Sequence, residues 1–436
     1  MYSIVLMAKE MGFTVSGSDR EEGELTRLLV SHGVTVKIGY DPEGISTATI
    51  VVYSLAIDKN SKELEYARHL GIPTVSRADF LSYLMKEYKC AIGVSGTHGK
   101  STSTAMLGAI LDAAGVSPTL SVGAAHRGGE PYISGGRDFL VYESCEYRDS
   151  FLAHQPSVLA VTNIELDHTD YFDSEQSVMA SFTKAINSAT AFSVLNIDDK
   201  NTRKILERVL VPTVTYGASS SATYRYTLDT ITDVGCEFSV YRMGRGAVKF
   251  RLNIPGAYNV ANAMLAIATA KELGVADKYI KDALFEFRLP KRRLEWLGEF
   301  NSRTVLYDYA HHPSEICAVI NAVKTWYSKG VTVVFKPHTY SRTRAFWQGF
   351  VESLSLADFV IVTDVYAARE DRIEGVSAER LAHDIRGGVY SDDSSVDVAL
   401  SDTEGVILLL GAGNFDKVIA SLKMGTCAEN SGKCKK

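Results

Sequence analysis

The sequence predicts an α/β fold of about three domains built on parallel sheets. The chain has 436 residues, a length that at about 150 residues per domain accommodates roughly three of them. Short apolar runs alternate with amphipathic helical stretches over residues 1–88 and again from 291 onward, as is typical of doubly wound parallel sheets. Between these two regions, a glycine-containing loop joins an apolar strand to a helix. That arrangement is the context in which phosphate is bound.

The first region, residues 1–88, opens on an amphipathic helix that runs into Gly12, followed by an apolar run at 13–15 that we predict as a strand. Further strands are predicted at 34–38, 49–53 and 73–75, and helices at 22–32 and 62–70. A domain that opens on a helix feeding a strand resembles a βαβ unit without its first strand. No basic segment and no small-residue cleavage site precede the helix, so a signal peptide is not expected.

The second and third regions are predicted at 89–290 and 291–436. In the second, strands are expected at 90–94, 139–142 and 157–161, and the Thr-, Ser- and Tyr-rich stretch 211–252 suggests an antiparallel insertion. In the third, buried-type strands are expected at 331–335, 359–363 and 405–410.

Composition limits the function as well as the fold. Hydrophobic residues make up 46% and charged residues 22%, and the net charge is −6. This apolar content excludes global disorder, and the absence of a basic surplus argues against nucleic-acid binding. No apolar run approaches the roughly 18 residues that span a bilayer, so membrane insertion is not expected.

Cysteine usage indicates a reducing compartment. Six cysteines are scattered along the chain without a C-x-x-C pair, at positions 90, 145, 236, 317, 427 and 434. Such residues are usually buried small hydrophobes and not disulfide partners. The two in the Lys-ended tail, Cys427 and Cys434, lack further partners at metal-ligand spacing. We therefore expect a cytoplasmic protein.

The loop Ser95-Gly-Thr-His-Gly-Lys-Ser101 carries the clearest chemical signal. Gly96 and Gly99 allow backbone amides to converge on phosphate oxygens, and the helix that follows adds its partial positive charge. Lys100 would reach the β- and γ-phosphates, and the Ser101 hydroxyl would ligate Mg²⁺. Val94 stands where the first glycine of the usual phosphate-loop pattern belongs. The alternative is a plain turn at a helix N-terminus.

Two acidic clusters follow neighbouring strands. Glu143 and Glu146 come after the strand at 139–142, and Asp167 and His168 after the strand at 157–161. Ligands bind beyond the carboxyl ends of parallel strands, so Glu143 is a candidate Mg²⁺ ligand. His168 is a candidate ligand of a second cation or a hydrogen-bond anchor. Alternatively, Asp167 and His168 cap the helix that follows.

Three polar loops follow strands of the third region, at 307–313, 335–344 and 364–370, and each carries Arg, His or Asp. One such loop is usually a solvated connection. Three at one sheet edge indicate a face that closes over a ligand.

Together these motifs resemble the Mur ligases, in order and over nearly the whole chain. The matching segments lie at 16–19, 71–73 with 76–77, 96–101, 162–168, 256–263, 291–293, 308–313, 340–344, 364–367 and 411–413. The resemblance implies a Rossmann-like N-terminal domain that holds a UDP-sugar, a central phosphate-loop domain that binds ATP, and a Rossmann-like C-terminal ligase domain. The histidine in the phosphate loop and the double histidine after Asp308 favour the alanine-adding branch of the family.

That branch uses ATP and Mg²⁺ to activate the carboxylate of UDP-N-acetylmuramate as an acyl phosphate, which the amine of L-alanine attacks, in cytoplasmic peptidoglycan precursor synthesis. We expect neither a nucleic-acid partner nor membrane insertion. The expected oligomeric state is a monomer or weak homodimer. Two alternatives remain: a related ligase that attaches a recycled peptide to the same UDP-sugar, and a non-catalytic nucleotide-binding member.

Carried over residue by residue, the resemblance implies these roles. The catalytic residues are Lys100, Glu143, His168, His311 and Arg342, the metal ligands are Ser101, Glu143 and His168, and the ATP-binding residues are Gly96, Thr97, His98, Gly99, Lys100, Ser101, Thr102, Asn259, Asn262, Arg293 and Asp308. Asn259 and Asn262 would contact adenine, and Asp308 the ribose. Arg293 and Arg342 would lie near phosphate or carboxylate, and His311 would help to place the substrates.

The sequence departs from the family pattern at several positions. Many members have His where Tyr258 stands, and an Arg that helps to bind the substrate acid where Thr339 stands; Arg344 or Lys336 could substitute for it. Lys184 is the nearest candidate for the carbamylated lysine of other Mur ligases, a device that we do not expect in this branch. The family's first strand and Gly-rich turn are not found ahead of the helix that starts at Met1. On this ground we expect weak UDP-sugar binding and an unstable first domain if 436 residues is the full length.

Overall fold

The structure, a computed structural model, describes residues 1–58, 60–124, 130–242, 245–368 and 370–422. Cys427 and Cys434 lie outside the described residues. The α-helices are α1 (Tyr2–Glu10), α2 (Glu24–Ser31), α3 (Lys62–His69), α4 (Arg77–Met85), α5 (Lys100–Ala113), α6 (Glu175–Asn187), α7 (Lys200–Ile205), α8 (Ala257–Glu272), α9 (Asp277–Glu286), α10 (Pro313–Trp326), α11 (Tyr340–Ala345), α12 (Trp347–Leu354), α13 (Ala378–Asp384), α14 (Val396–Leu400) and α15 (Asp416–Ser421).

The strands alternate with these helices along much of the chain, as the sequence predicts. They are β1 (Ser16–Asp19), β2 (Thr35–Ile38), β3 (Val51–Tyr53), β4 (Thr74–Ser76), β5 (Cys90–Ser95), β6 (Pro118–Ser121), β7 (Tyr132–Ile133), β8 (Gly136–Glu143), β9 (Val158–Val161), β10 (Phe192–Asn196), β11 (Thr213–Gly217), β12 (Tyr224–Ile231), β13 (Cys236–Arg242), β14 (Val248–Leu252), β15 (Glu295–Phe300), β16 (Arg303–Asp308), β17 (Val331–Phe335), β18 (Phe359–Val362), β19 (Gly388–Tyr390) and β20 (Val406–Leu410).

The chain forms two compact units, which are described separately below. Unit 1 comprises Met1–Ile164, Met179–Tyr216 and Leu265–Ile280, and unit 2 comprises Glu165–Val178, Gly217–Met264 and the chain from Lys281 onward.

The N-terminal part of unit 1 contains two separate parallel strand pairs, β1 with β2 and β3 with β4. Helices α1 and α4 supply a buried apolar cluster that includes Ile4, Met7, Leu81 and Leu84. The strand predicted at 13–15 is wrong. The Phe13 amide donates to the Ala8 carbonyl at 3.0 Å in the turn that ends α1, so these residues belong to the helix terminus and pairing with β2 begins only at Ser16.

The central sheet of unit 1 has the strand order β11-β10-β9-β5-β8-β6-β7. All neighbours are parallel except β6 and β7. Strands β5 and β9 are buried almost throughout, as expected for parallel strands covered on both faces. Their carboxyl ends carry the phosphate loop and residue Thr162.

In unit 2, strands β12, β13 and β14 form an antiparallel meander. The predicted antiparallel insertion is therefore confirmed for 224–252, but its proposed start is wrong. Residues Thr213–Gly217 form β11, which pairs in parallel with β10, because an apolar alternation of this length fits either kind of sheet edge.

The remaining sheet of unit 2 has the order β15-β16-β20-β17-β18-β19, parallel except for the β15–β16 hairpin. Strands β17 and β20 are fully buried, and α10, α12 and α13 pack on one face through residues such as Ile320, Phe350 and Leu381. At the amino end of β16, the Arg303 guanidinium links this strand to the segment before β20. It donates to the carbonyls of Leu400, Thr403, Glu404 and Gly405.

The structure confirms the α/β class and the parallel sheets. Cys90, Cys145, Cys236 and Cys317 are free thiols. Within the described part of the chain, no helix is long and apolar enough to cross a bilayer. The boundaries that we place at 88/89 and 290/291 stay predictions.

Candidate active site

The phosphate loop lies between β5 and α5, as predicted. Gly99 precedes α5 with a φ of 82°, and Gly96 has a φ of 130°, both in the left-handed region that favours glycine. A Cβ on Gly96 would lie 2.0 Å from Thr162 Oγ1. The loop therefore takes a path that requires glycine and leads into a helix N-terminus, where the free amides and the helix dipole favour an anion.

Thr162 and Asn163, directly after β9, clamp this loop. Asn163 Oδ1 accepts a hydrogen bond from the His98 amide at 2.9 Å, and Asn163 Nδ2 donates to the His98 carbonyl at 3.1 Å. The Asn163 carbonyl accepts from the Thr97 amide at 3.1 Å. The motif alone did not indicate this clamp. The signal that could have found it is position, because β9 pairs directly with β5 and both strands end at the same edge.

Lys100 is protonated and fully bonded. Its ammonium donates to the Gly96 carbonyl, to the Thr97 carbonyl at 3.1 Å and to Glu146 Oε1 at 3.0 Å. Burial acts to lower the pKa of Lys100, but the negative charge of Glu146, supported by that of Glu143, outweighs it and raises the pKa above its usual value. The lysine therefore carries its charge at neutral pH.

Glu143 ends β8 and is held in place by Gly123, whose amide donates to Glu143 Oε1. A Cβ on Gly123 would lie 2.7 Å from Glu143 Oε2. Ser101 and Thr102 are buried in the first turn of α5. A carboxylate and a hydroxyl are the hard oxygen donors that Mg²⁺ prefers, so the donor set of Ser101 and Glu143 fits that ion.

In unit 2, Arg342 is bound by Asp167, 175 residues away. Arg342 Nη2 and Nε donate to Asp167 Oδ1 at 2.8 and 3.1 Å, and Nη1 lies 3.1 Å from His338 Nδ1. Burial would raise the pKa of Asp167, but the Arg342 guanidinium holds it well below its usual range. Both side chains are buried. Asp167 is thus a protein carboxylate that binds Arg342, and the predicted contact of Arg342 with a substrate phosphate or carboxylate stays a prediction.

His168 follows in a left-handed conformation, with a φ of 51°, and its amide donates to Asp167 Oδ1 at 2.7 Å. The alternative that Asp167 and His168 cap the next helix is wrong, because α6 begins only at Glu175. Asp167 is instead the buried counter-ion of Arg342, a role that needs a contact too distant in sequence to be predicted.

The three polar loops of the third region meet at the carboxyl edge of their sheet. His338 stacks on Tyr366 with 5.7 Å between ring centroids, and the Thr339 amide donates to the Tyr366 carbonyl at 2.9 Å. The His311 ring lies 6.0 Å from that of His338. The expected convergence is therefore present within unit 2.

His311 is neutral. Burial lowers its pKa to about 4, partly opposed by the nearby Glu315 carboxylate. Its Nδ1 lies 2.9 Å from the Tyr309 carbonyl. A neutral ring that donates from Nδ1 keeps Nε2 as a hydrogen-bond acceptor.

Asp308 ends β16 and is buried. Its two carboxylate oxygens accept from the amides of Leu294 at 2.9 Å and Ala310 at 2.8 Å. Burial raises the pKa of Asp308 to about 6, against the attraction of Arg293, whose Nη1 lies 4.0 Å away. Burial raises the pKa of Tyr258, and the negative charge of nearby Asp308 raises it further. Arg293 and Asp308 thus lie close together, and their predicted contacts with ATP stay predictions.

Asn259 and Asn262 lie in the first two turns of α8. Asn259 Nδ2 donates to the Pro255 carbonyl at 2.7 Å, and Asn262 Nδ2 donates to Asn259 Oδ1 at 3.3 Å. The pair is pre-ordered by these bonds.

The departures from the family pattern have structural consequences. Thr339 has a φ of 63° and accepts from the Arg342 amide at 3.4 Å, so it caps α11. Lys336 is buried and bonded to Asp393 Oδ2 at 2.6 Å, which commits it to a structural pair. Arg344, in contrast, is exposed on α11, and Lys184 is exposed on α6.

The predicted residues therefore form two groups. Lys100, Ser101 and Glu143 belong to unit 1, whereas His168, His311 and Arg342 belong to unit 2. Within its unit, each of these residues is buried or half-buried.

Three family models match consecutive parts of the chain. They are described as the Mur ligase family catalytic domain over residues 1–89, the Mur ligase middle domain over 94–270 and the Mur ligase glutamate ligase domain over 292–413. This succession confirms the predicted three-domain class of fold.

Curated relatives match along most of their length. A UDP-N-acetylmuramate–L-alanine ligase of Caldicellulosiruptor saccharolyticus is 40% identical over 433 residues, covering 96% of this chain and 95% of the relative. One of Aquifex aeolicus is 39% identical over 425 residues, covering 96% and 93%. Among solved structures, the UDP-N-acetylmuramate-alanine ligase of Thermotoga maritima aligns with a TM-score of 0.80 at 26% identity, covering 97% of this chain and 94% of that one.

Proposed function

The chain belongs to the Mur ligase family, whose members use ATP, and we propose that it joins L-alanine to the carboxylate of UDP-N-acetylmuramate through an acyl phosphate. The observation that carries this proposal is the glycine loop before α5, with a buried, protonated Lys100 beside Glu143, in a chain whose curated relatives carry this activity in their names. A neutral turn at a helix N-terminus would not need a buried lysine that is matched by a buried acid.

The first half-reaction is phosphoryl transfer. The muramoyl carboxylate attacks the γ-phosphorus of ATP, and ADP leaves. Gly96, Thr97, His98 and Gly99 form the cradle, with Thr102 behind it in α5, and Lys100 neutralises charge on the moving phosphoryl group. Catalysis here is positioning and electrostatic stabilisation.

Mg²⁺, when bound, neutralises phosphate charge; Ser101 and Glu143 would hold one ion, and His168 would contact a second. The half-buried carboxylate of Glu143, fixed by the Gly123 amide, supports the first assignment.

The second half-reaction is acyl transfer. The alanine amine attacks the acyl phosphate, a tetrahedral intermediate collapses, and phosphate leaves as the amide forms. Arg342 stabilises the negative charge of carboxylate or phosphate, since a planar guanidinium suits such groups. Neutral His311 orients a substrate through its Nε2 acceptor. Asn259 and Asn262 contact adenine, Asp308 the ribose, and Arg293 a phosphate.

The decisive experiment measures phosphate release from ATP with UDP-N-acetylmuramate and a series of acceptors, with the product identified by mass. We expect turnover with L-alanine and a product heavier than the UDP-sugar by one alanine residue. Turnover with a peptide but not with L-alanine would favour the peptide-recycling ligase. An absence of ATP turnover with every acceptor would favour a non-catalytic nucleotide-binding protein.

Because both nucleotide substrates are cytoplasmic metabolites, we place the reaction in the cytoplasm, in peptidoglycan precursor synthesis. The expected monomer or weak homodimer stays a prediction, which light scattering after size exclusion would test over a range of concentrations.

A further inference from the structure

Glu146 has no role in the chemistry described so far, yet it is the acid that contacts the phosphate-loop lysine. Glu146 is 2% exposed, and it lies three positions beyond Glu143, after β8. Lys100 and Glu146 form a buried ion pair at 3.0 Å. A buried carboxylate beside the lysine of a phosphate loop repels phosphate, so its presence there needs an explanation.

The pair uses the full bonding capacity of the lysine. An ammonium group has three N–H donors, and those of Lys100 are matched by the Gly96 carbonyl, the Thr97 carbonyl and Glu146. Lys100 can therefore donate to a phosphate only by releasing one of these partners. Glu146 is the one anion among the three, so a phosphate oxygen replaces it most directly.

The charges of the loop point the same way. Lys100 carries one positive charge, and Glu143 and Glu146 are two carboxylates, so the formal charges of these three side chains sum to −1. These side chains therefore repel nucleotide phosphates in a partly buried site, where screening by solvent is weak, and so oppose the attraction of the loop amides and the helix dipole. A divalent cation at Glu143 reverses the sign of that sum.

The backbone after Glu146 fixes its position. Arg148 and Asp149 have φ values of 50° and 57°, two consecutive non-glycine residues in the left-handed region. The Asp149 amide donates to the Glu146 carbonyl at 3.0 Å, and Ser181 Oγ donates to the Asp149 side chain. Such strained conformations persist only where surrounding contacts hold them. These contacts fix the backbone of the turn that begins at Glu146, whose carboxylate lies 3.0 Å from Lys100 Nζ.

We propose that Glu146 is an internal counter-anion of the phosphate loop, which holds Lys100 while nucleotide is absent and makes nucleotide binding depend on a divalent cation. This inference rests on the proposed function, because it requires that the loop binds nucleotide. Glu146 acts through Lys100 and is a positioning residue.

The test is binding of a fluorescent ADP analogue to the full chain, with Mg²⁺ and with EDTA, without any turnover. For the wild type we expect affinity with Mg²⁺ to exceed that in EDTA by at least about 100-fold. Glu146→Gln keeps an acceptor for Lys100 but removes the charge. We expect it to tighten binding in EDTA by about tenfold or more, and so to reduce the Mg²⁺ dependence, whereas Glu146→Asp retains that dependence.

Glu87→Gln, which removes an exposed acid from the same unit, is the matched control and should behave as wild type. If Glu146→Gln weakens binding equally with and without Mg²⁺, Glu146 has only a structural role. If the wild type binds equally well in EDTA, the proposal is wrong, even if the variants fail to fold. If the wild type binds the analogue under neither condition, the proposed function fails at the loop itself.

Discussion

The phosphate loop of unit 1 and the strand-end loops of unit 2 both neutralise a buried cation with a buried acid, but with different hydrogen bonds. Each holds a buried cation against a buried carboxylate in a loop that follows a strand: Lys100 with Glu146, 46 residues apart, and Arg342 with Asp167, 175 apart. Lys100 shares its three protons between two carbonyls and one acid, whereas Arg342 directs two of its nitrogens at one carboxylate oxygen. Lys100 therefore has one anionic partner that a phosphate oxygen can replace, whereas Arg342 is held to Asp167 by two hydrogen bonds.

Replacement of Lys100 should have the largest effect. We expect Lys100→Ala to reduce kcat by at least about 10²–10³-fold, because it removes the cation that neutralises the transferred phosphoryl group. Phosphate release with all three substrates measures the loss, and circular dichroism checks that the fold is intact. Near-normal activity would mean that the loop is not the nucleotide site.

Asp167→Asn should have the next largest effect, but on stability. Removal of one partner leaves the Arg342 charge buried without its counter-ion, and we expect a loss of about 3–5 kcal/mol in the free energy of unfolding. Urea denaturation of wild type, Asp167→Asn, Arg342→Met and the double variant forms a cycle that isolates the pair. A double variant as unstable as the sum of the single variants would contradict the pairing.

The contrast between the pairs also explains what the sequence could predict. The strand, glycine loop and helix around Lys100 are contiguous, so the sequence predicts the strand at 90–94 and the loop and helix that follow it. The strands predicted at 331–335 and 405–410 are recognisable from their short, mostly apolar runs. The Asp167–Arg342 pair and the Asn163 clamp depend on which strands are neighbours. That information is not present in local patterns.

The same limit applies to the errors. Residues 13–15 have strand propensity, but the Phe13 amide is hydrogen-bonded to the Ala8 carbonyl in the turn that ends α1. The stretch 211–217 resembles the meander in composition, yet it pairs in parallel with β10. In both cases a tertiary or capping hydrogen bond decided between two conformations that the local sequence allows.

A smaller effect is expected at Gly96, where the loop meets its clamp. In Gly96→Ala the new methyl group would collide with Thr162 Oγ1 and the φ of 130° would be strained, at a cost of about 1–3 kcal/mol. We expect weaker ATP binding, seen as a raised KM, with a smaller change in kcat. Thr162→Ala in the same chain should restore part of the affinity, since it removes the collision but not the strain. A lack of any rescue would place the defect in the backbone alone.

The smallest effect concerns acid stability at His311, on the unit 2 side of the comparison. An unfolded histidine has a pKa of about 6.5, whereas burial lowers that of His311 to about 4. The unfolded state therefore binds the proton first, and the contribution of His311 to stability falls as the pH decreases from about 6.5 to 4. Asp167 acts in a lower pH window, because its depressed pKa contributes stability that is lost only below about pH 4.

His311→Asn keeps a donor for the Tyr309 carbonyl and removes the titration. The stability of this variant should therefore fall less than that of the wild type between pH 6.5 and 4, by on the order of 1–2 kcal/mol. His383→Asn, at an exposed position, is the matched control. Parallel urea midpoints for wild type and His311→Asn between pH 7 and 4.5 would show that His311 is not buried in its neutral form.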